Sequence, residues 1–174
     1  MPSHTAAEFS WNNPLGIGTA LFLSVGAVYM IIACAGMIIL HRQGVAASEA
    51  RGFFLGPKAD SVWFGKPPND VVRDNPQVGR MVLLFMDIIT GFMLAFGIVT
   101  AGVAWFGLRS GNAWALWVLV AANAAMLATY WLLAMLPFMR EYGFSYREVF
   151  HPYAAYPTVI IPIATVLAWI GLRQ

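Results

Sequence analysis

Charge is what this chain has least of. Ten Lys and Arg and eight Asp and Glu make 10% of its 174 residues, against ~25% in an ordinary soluble domain. A soluble chain of this size cannot cover its surface with so few polar groups. The balance of +2 is too small to call for nucleic acid as a partner. One cysteine, Cys34, excludes an internal disulfide and any paired-cysteine metal or redox motif. There is no histidine cluster, no Glu-x-x-His pair and no carboxylate cluster, so a di-metal site is not expected. The GxxxxGK[ST] phosphate loop is missing around Gly65-Lys66. No Asn-X-Ser/Thr sequon occurs, which fits a bacterial plasma-membrane protein. No signal peptide is expected, because Met1–Trp11 lack Lys and Arg and the first apolar run is too long for a signal core.

What is present is apolar, and it comes in long blocks. Leu15–Leu40 carries no charge, Met81–Leu108 carries only Asp87, and Trp114–Met139 carries none. The fourth block, Tyr156–Leu172, contains Pro157 and Pro162. A helix needs roughly 20 apolar residues to cross a bilayer. The expected fold is therefore all-α: one membrane domain, a four-transmembrane-helix bundle with spans of about 15–41, 81–108, 114–138 and 156–172. Pro157 suits a helix start, and Pro162 should kink the last span.

Arg and Lys set the expected orientation. Arg42, Arg51, Lys58, Lys66, Arg73, Arg80, Arg140 and Arg147 flank one end, against Arg109 and Arg173 at the other. Both termini are then outside, and 42–80 is a cytoplasmic loop on the membrane surface that buries Phe53-Phe54-Leu55 and Trp63-Phe64. Trp11, Trp105, Trp114, Trp117 and Trp169 form the outer aromatic belt, and Tyr142, Tyr146, Tyr153 and Tyr156 the inner one. Gly111-Asn112 turns spans two and three into a tight antiparallel hairpin. Small residues should bring helices close: Gly16, Ala20 and Ser24 on span one; Gly91, Ala95, Gly97 and Ala101 on span two; Ala121, Ala124, Ala125 and Ala128 on span three.

Few polar residues fall inside these spans, and each needs a reason. A carboxylate in hydrocarbon costs ~2.5–3.5 kcal/mol on the insertion scale. Asp87 is therefore the leading functional candidate, as a proton-coupling or ligand-binding group or as a lock between spans two and three. Thr90 shares its helix face. Counting 1.5 Å per residue puts Asp87 about 10 Å beyond Met81. It is then level with Cys34–Met37, Trp131–Ala134 and Pro162, and Tyr130 lies one turn further out. Tyr130, Arg80 and Arg140 are its expected partners. Asn123 should make an interhelical hydrogen bond near the midplane. His41 and His151 map to the inner interface, where two imidazoles could ligate haem or a metal. The bland reading is two interfacial histidines, so no cofactor is expected.

Three functions fit. A non-catalytic subunit or scaffold of a larger membrane complex, or a homo-oligomer, asks least of so few chemical groups. A small membrane enzyme or quinone- or lipid-binding bundle would need a side opening near Asp87 and Tyr130. An oligomeric proton-coupled transporter would use Asp87. The four-span plan, with outer termini and a large first loop, is similar to that of the membrane-associated eicosanoid and glutathione family. That family's signature at the start of span two has no counterpart in Arg73-Asp74-Asn75-Pro76 through Arg80, and membership is not implied.

Overall fold

A computed structural model describes residues 9–43, 57–145 and 152–174. Among these the chain is all-helical. Helix α1 spans Pro14–Gln43, α2 Pro57–Phe64 and α3 Pro68–Asp74. Helix α4, Pro76–Gly102, runs on into a π-helical stretch, Val103–Leu108. Helix α5, Ala113–Ala128, passes through a second π-helical stretch, Thr129–Met135, into α6, Leu136–Tyr142. Helix α7 is Pro152–Leu172. Four of these helical runs are long and apolar enough to cross a membrane: Pro14–Arg42, Pro76–Leu108, Ala113–Tyr142 and Ala154–Leu172.

Proline opens most of these helices. Pro14, Pro57, Pro68, Pro76 and Pro152 each stand at a first position, where the missing N–H has no partner to lose and φ is already helical. Asn13 caps α1, its Oδ1 accepting from the Gly16 N–H at 2.7 Å. Asn75 caps α4 by accepting from the Gln77 N–H at 3.2 Å. The long α4 run thus starts at Pro76, ahead of the expected Met81. The last helix also starts early, at Pro152, so Pro157 is an interior, buried residue rather than a helix start. Thr158 and Thr165 return their hydroxyls to the Ala154 and Ile161 carbonyls, at 2.6 and 2.7 Å.

Both π-helical stretches have local causes or consequences. At the end of α4 the wider turns are visible in the bonds: the Arg109 N–H reaches the Ala104 carbonyl and the Asn112 N–H the Gly107 carbonyl, each five residues back. Gly111 then makes the reversal at φ 75°, a backbone conformation that side chains with a Cβ rarely adopt. The second stretch ends just before Pro137, which has no N–H to offer the preceding turn.

Helix α1 is the centre of the bundle, packed along α4 on one side and α7 on the other. Glycine lets the backbones meet. A methyl group on Gly26 would sit 2.8 Å from the Gly97 carbonyl oxygen and 3.0 Å from the Ala101 nitrogen. One on Gly18 would sit 2.7 Å from the Ala168 nitrogen. Phe22, Val25 and Tyr29 of α1 fill the core with Leu108, Leu116, Leu119, Ile161 and Ala164.

Two expectations about packing need correction. The close-contact face of α1 is built on Gly18 and Gly26, while Ala20 is exposed. Gly91 and Ala95 on α4, and Ala121, Ala124, Ala125 and Ala128 on α5, are all exposed too. Helices α4 and α5 also do not form a hairpin closed along its length. Their principal contact is where Val103–Leu108 packs on α5 next to the turn, with Gly107 against Ala115. Beyond that the α4 and α5–α6 runs separate.

The hairpin end gathers tryptophans and both of its arginines. Arg109 lies 4.4 Å from the Trp105 ring centroid, and Arg173 lies 4.1 Å from that of Trp169. Trp11 adjoins Trp105, and Trp117 meets Trp169 edge-on. At the other end α2 lies on α6 through Ala59, Met135, Phe138, Met139 and Phe144. Helix α3 sits on the start of α4 through Val71 and Val82. Residues Phe53-Phe54-Leu55 and Tyr146 lie outside the described residues.

Candidate functional site

Asp87 is paired with α1, not with α5. Its Oδ1 lies 3.2 Å from His41 Nε2, within ion-pair distance but not aligned as a hydrogen bond. The expected partners Tyr130, Arg80 and Arg140 do not fill that place; Arg80 and Arg140 are exposed.

The physical reason is register. Gly26 faces Gly97 and Ala101, and Gly36 faces the Thr90 methyl, so antiparallel residue numbers on α1 and α4 sum to about 125 by these contacts. Asp87 is therefore level with about residue 38, next to the expected Cys34–Met37. Side chains lean toward the N-terminus of their own helix. His41 leans toward the hairpin end and Asp87 away from it, so the two converge.

Thr90 is buried and satisfied within its own helix. Its hydroxyl donates to the Met86 carbonyl at 2.8 Å and lies 3.1 Å from that of Asp87. Its methyl packs toward Gly36. Asn123 is fully buried, yet it does not bridge helices as expected. Its amide Nδ2 donates to the Leu119 carbonyl at 2.8 Å. No described residue bonds to its Oδ1.

His151, half of the expected haem pair, lies outside the described residues. His41 presents its Nε2 to Asp87. No three His, Cys, Asp or Glu side chains come together as a metal-ligating group among the described residues.

Two clefts open along the α5–α6 run. The first, of about 630 Å³, lies between α4 and α5 and is lined by Ile89, Ala125, Met126, Thr129, Tyr130 and Ala134. Tyr29 abuts it from α1: its ring packs on Phe96 and its hydroxyl lies 4.0 Å from Met126 Sδ. Tyr130 stands edge-on to Trp131 at 5.0 Å. Trp131 in turn donates its indole N–H to Thr158 at 3.0 Å, tying this wall to α7.

The second cleft, of about 510 Å³, lies between α2 and the α5–α6 run. Asp60, Trp63, Ala134, Pro137, Phe138 and Glu141 are among its lining residues. Ala134 lines both clefts, so they adjoin along one helix. Trp63 stacks on Phe138 at 5.4 Å and 17°. Asp60 is 2% exposed.

Sequence reasoning brought Tyr130 to a cleft but missed Asp60 and the role of Trp63. The available signal was Pro57 followed three residues later by Asp60, a helix-start pattern with an acid in the first turn. Compared with models of known protein families, with curated proteins and with solved structures, the chain matches none.

Proposed function

We propose that this chain is a multi-pass integral membrane protein that binds a lipophile, a quinone or a lipid, in the cleft between α4 and α5. The observation that supports this reading is the side opening itself. It is apolar, it lies between two membrane-length helices, and Thr129 and Tyr130 are among its lining residues. Asp87 is absent from the lining of both clefts, which leaves proton-coupled transport with less support.

In the proposed orientation the α2 end is cytoplasmic and both termini are outside, since eight of the ten Lys and Arg flank that end. The bacterial plasma membrane is the proposed location.

Organic extraction of the protein, purified gently from its native membrane, tests the proposal. The expected result is a defined lipophile retained at about one per chain. An Ala125→Phe variant that folds normally should lose it. Equal retention by both proteins would overturn the reading.

A second reading has its own observation. Ala121, Ala124, Ala125 and Ala128 lie on open surface of α5, the kind of small-residue surface on which another membrane helix packs. A subunit or scaffold of a larger membrane complex, or a homo-oligomer, would use that face. Loss of a co-purifying protein on Ala121→Phe, with the extracted lipophile unchanged, would favour it.

A further inference from the structure

We propose that the occupant of the cleft between α4 and α5 is a quinone, its ring at mid-membrane depth and its carbonyls accepting from Thr129 and Tyr29. The inference rests on the lipophile-binding reading and chooses between its two ligand classes. It concerns binding alone. Three observations carry it together.

The first is depth. Tyr29 lies at the middle of the span Pro14–Arg42, about 20 Å of helix from either end. Its ring packs on Phe96, and its hydroxyl meets Met126, which lines the cleft. The Met126 end of the cleft is therefore level with the middle of α1. Lipid head groups begin roughly 15 Å from the bilayer centre. A phospholipid would lay only its tails against Tyr29, because a charged head pays heavily to leave water. A quinone head is uncharged and can enter ring first.

The second is a hydroxyl on the cleft without a bond in its own helix. Thr19, Thr90, Thr158 and Thr165 return their hydroxyls to the carbonyls of Leu15, Met86, Ala154 and Ile161, each four residues back. Thr100 and Thr129 make no such bond among the described residues, and of these two Thr129 lines the cleft. A hydroxyl without a partner in an apolar setting costs free energy. A carbonyl on the occupant would accept from it.

The third is a donor held in reserve. Tyr29 is 3% exposed, and among the described residues its hydroxyl meets the Met126 sulfur, at 4.0 Å. A thioether is a weak acceptor, and methionine has three rotatable bonds with which to swing aside. A quinone carbonyl is the better acceptor for the same O–H. Thr129 follows Met126 by three positions, about 4.5 Å along the helix, so the two hydroxyls lie near one depth. Two uncharged donors suit an uncharged ring with two acceptors.

The test is native mass spectrometry of the full chain released from neutral maltoside micelles. The added probes are decylubiquinone, its carbonyl-free analogue decyl-dimethoxytoluene, and phosphatidylglycerol. The expected result is one decylubiquinone per chain, held about tenfold tighter than the carbonyl-free analogue. Thr129→Val and Tyr29→Phe should each weaken decylubiquinone by about threefold and leave the analogue unchanged. Thr129 is exposed, so its variant keeps the test alive if Tyr29→Phe fails to fold.

Equal binding of decylubiquinone and its analogue, or wild-type affinity in both hydroxyl variants, would overturn the quinone and leave the lipophile reading standing. Phosphatidylglycerol held as tightly as decylubiquinone would overturn it in favour of a membrane lipid. Binding of no probe at all, or binding that survives Ala125→Phe, would overturn both readings.

Discussion

His41 Nε2 and Asp87 Oδ1 face each other at 3.2 Å across α1 and α4. The register of the two helices brings the only acid of α4 to the imidazole at the end of α1. Removing one alone leaves a polar group on an apolar helix face. His41→Leu should therefore destabilise the protein more than His41→Leu combined with Asp87→Leu, by about 1–2 kcal/mol. Thermal unfolding in micelles measures this, and a double variant weaker than the single would show that the two side chains are not coupled.

Gly26 and Gly91 make a matched pair of tests. At Gly26 a side chain would collide with the Gly97 backbone, while at Gly91 nothing lies within 4 Å. Gly26→Val should cost about 1–3 kcal/mol by overpacking. Gly91→Ala should be neutral or stabilising by up to ~1 kcal/mol, because alanine is the better helix former. The ordering of the two melting temperatures decides between close packing and an open face at each position.

Asn123 buries an acceptor that no described residue satisfies. Replacing it with leucine removes that acceptor along with the amide bonded inside the same helix. Asn123→Leu is expected to be neutral or to stabilise by up to ~1 kcal/mol. A loss of about 2 kcal/mol or more in the unfolding measurement would mean that the amide serves something beyond its own helix.

Lys66 holds Asp74 below the ordinary carboxylate range, by a hydrogen bond of 2.7 Å and by its charge, with Arg73 adding to it. A depressed native value means that the stabilisation is present above the unfolded aspartate value of ~3.9 and is lost as pH falls through the lower native one. The side chain is exposed, so the effect is local to α3. Lys66→Met should move the Asp74 titration, followed by NMR, back toward the ordinary value.

The four long helices were legible because apolar runs of this length are rare outside membrane spans, and because prolines and asparagines mark where they begin. Their mutual arrangement was not. Levels counted from the ends of apolar runs placed Asp87 close to its true height on α1, but pointed to Tyr130, Arg80 and Arg140 rather than to His41 as its partner. The register that brings His41 to Asp87 is fixed by Gly26 on Gly97 and Gly36 on Thr90, contacts between distant segments that no local pattern announces. Small residues at intervals of four mark a face, but not what covers it: Gly97 is buried and Ala125 is exposed. Asp60 went unread because its helix, α2, is only eight residues long and sits in what looked like a connecting loop.

The π-helical stretch Thr129–Met135 contains Tyr130 and Ala134 and leads into Pro137 and Glu141. Deleting a single residue from it would turn everything that follows by about 100° about the helix axis. Pro137, Phe138 and Glu141 would swing out from beneath α2 while Ala125 and Met126 stayed where they are. One surplus residue thus acts as the phase setting that lines up the two recesses.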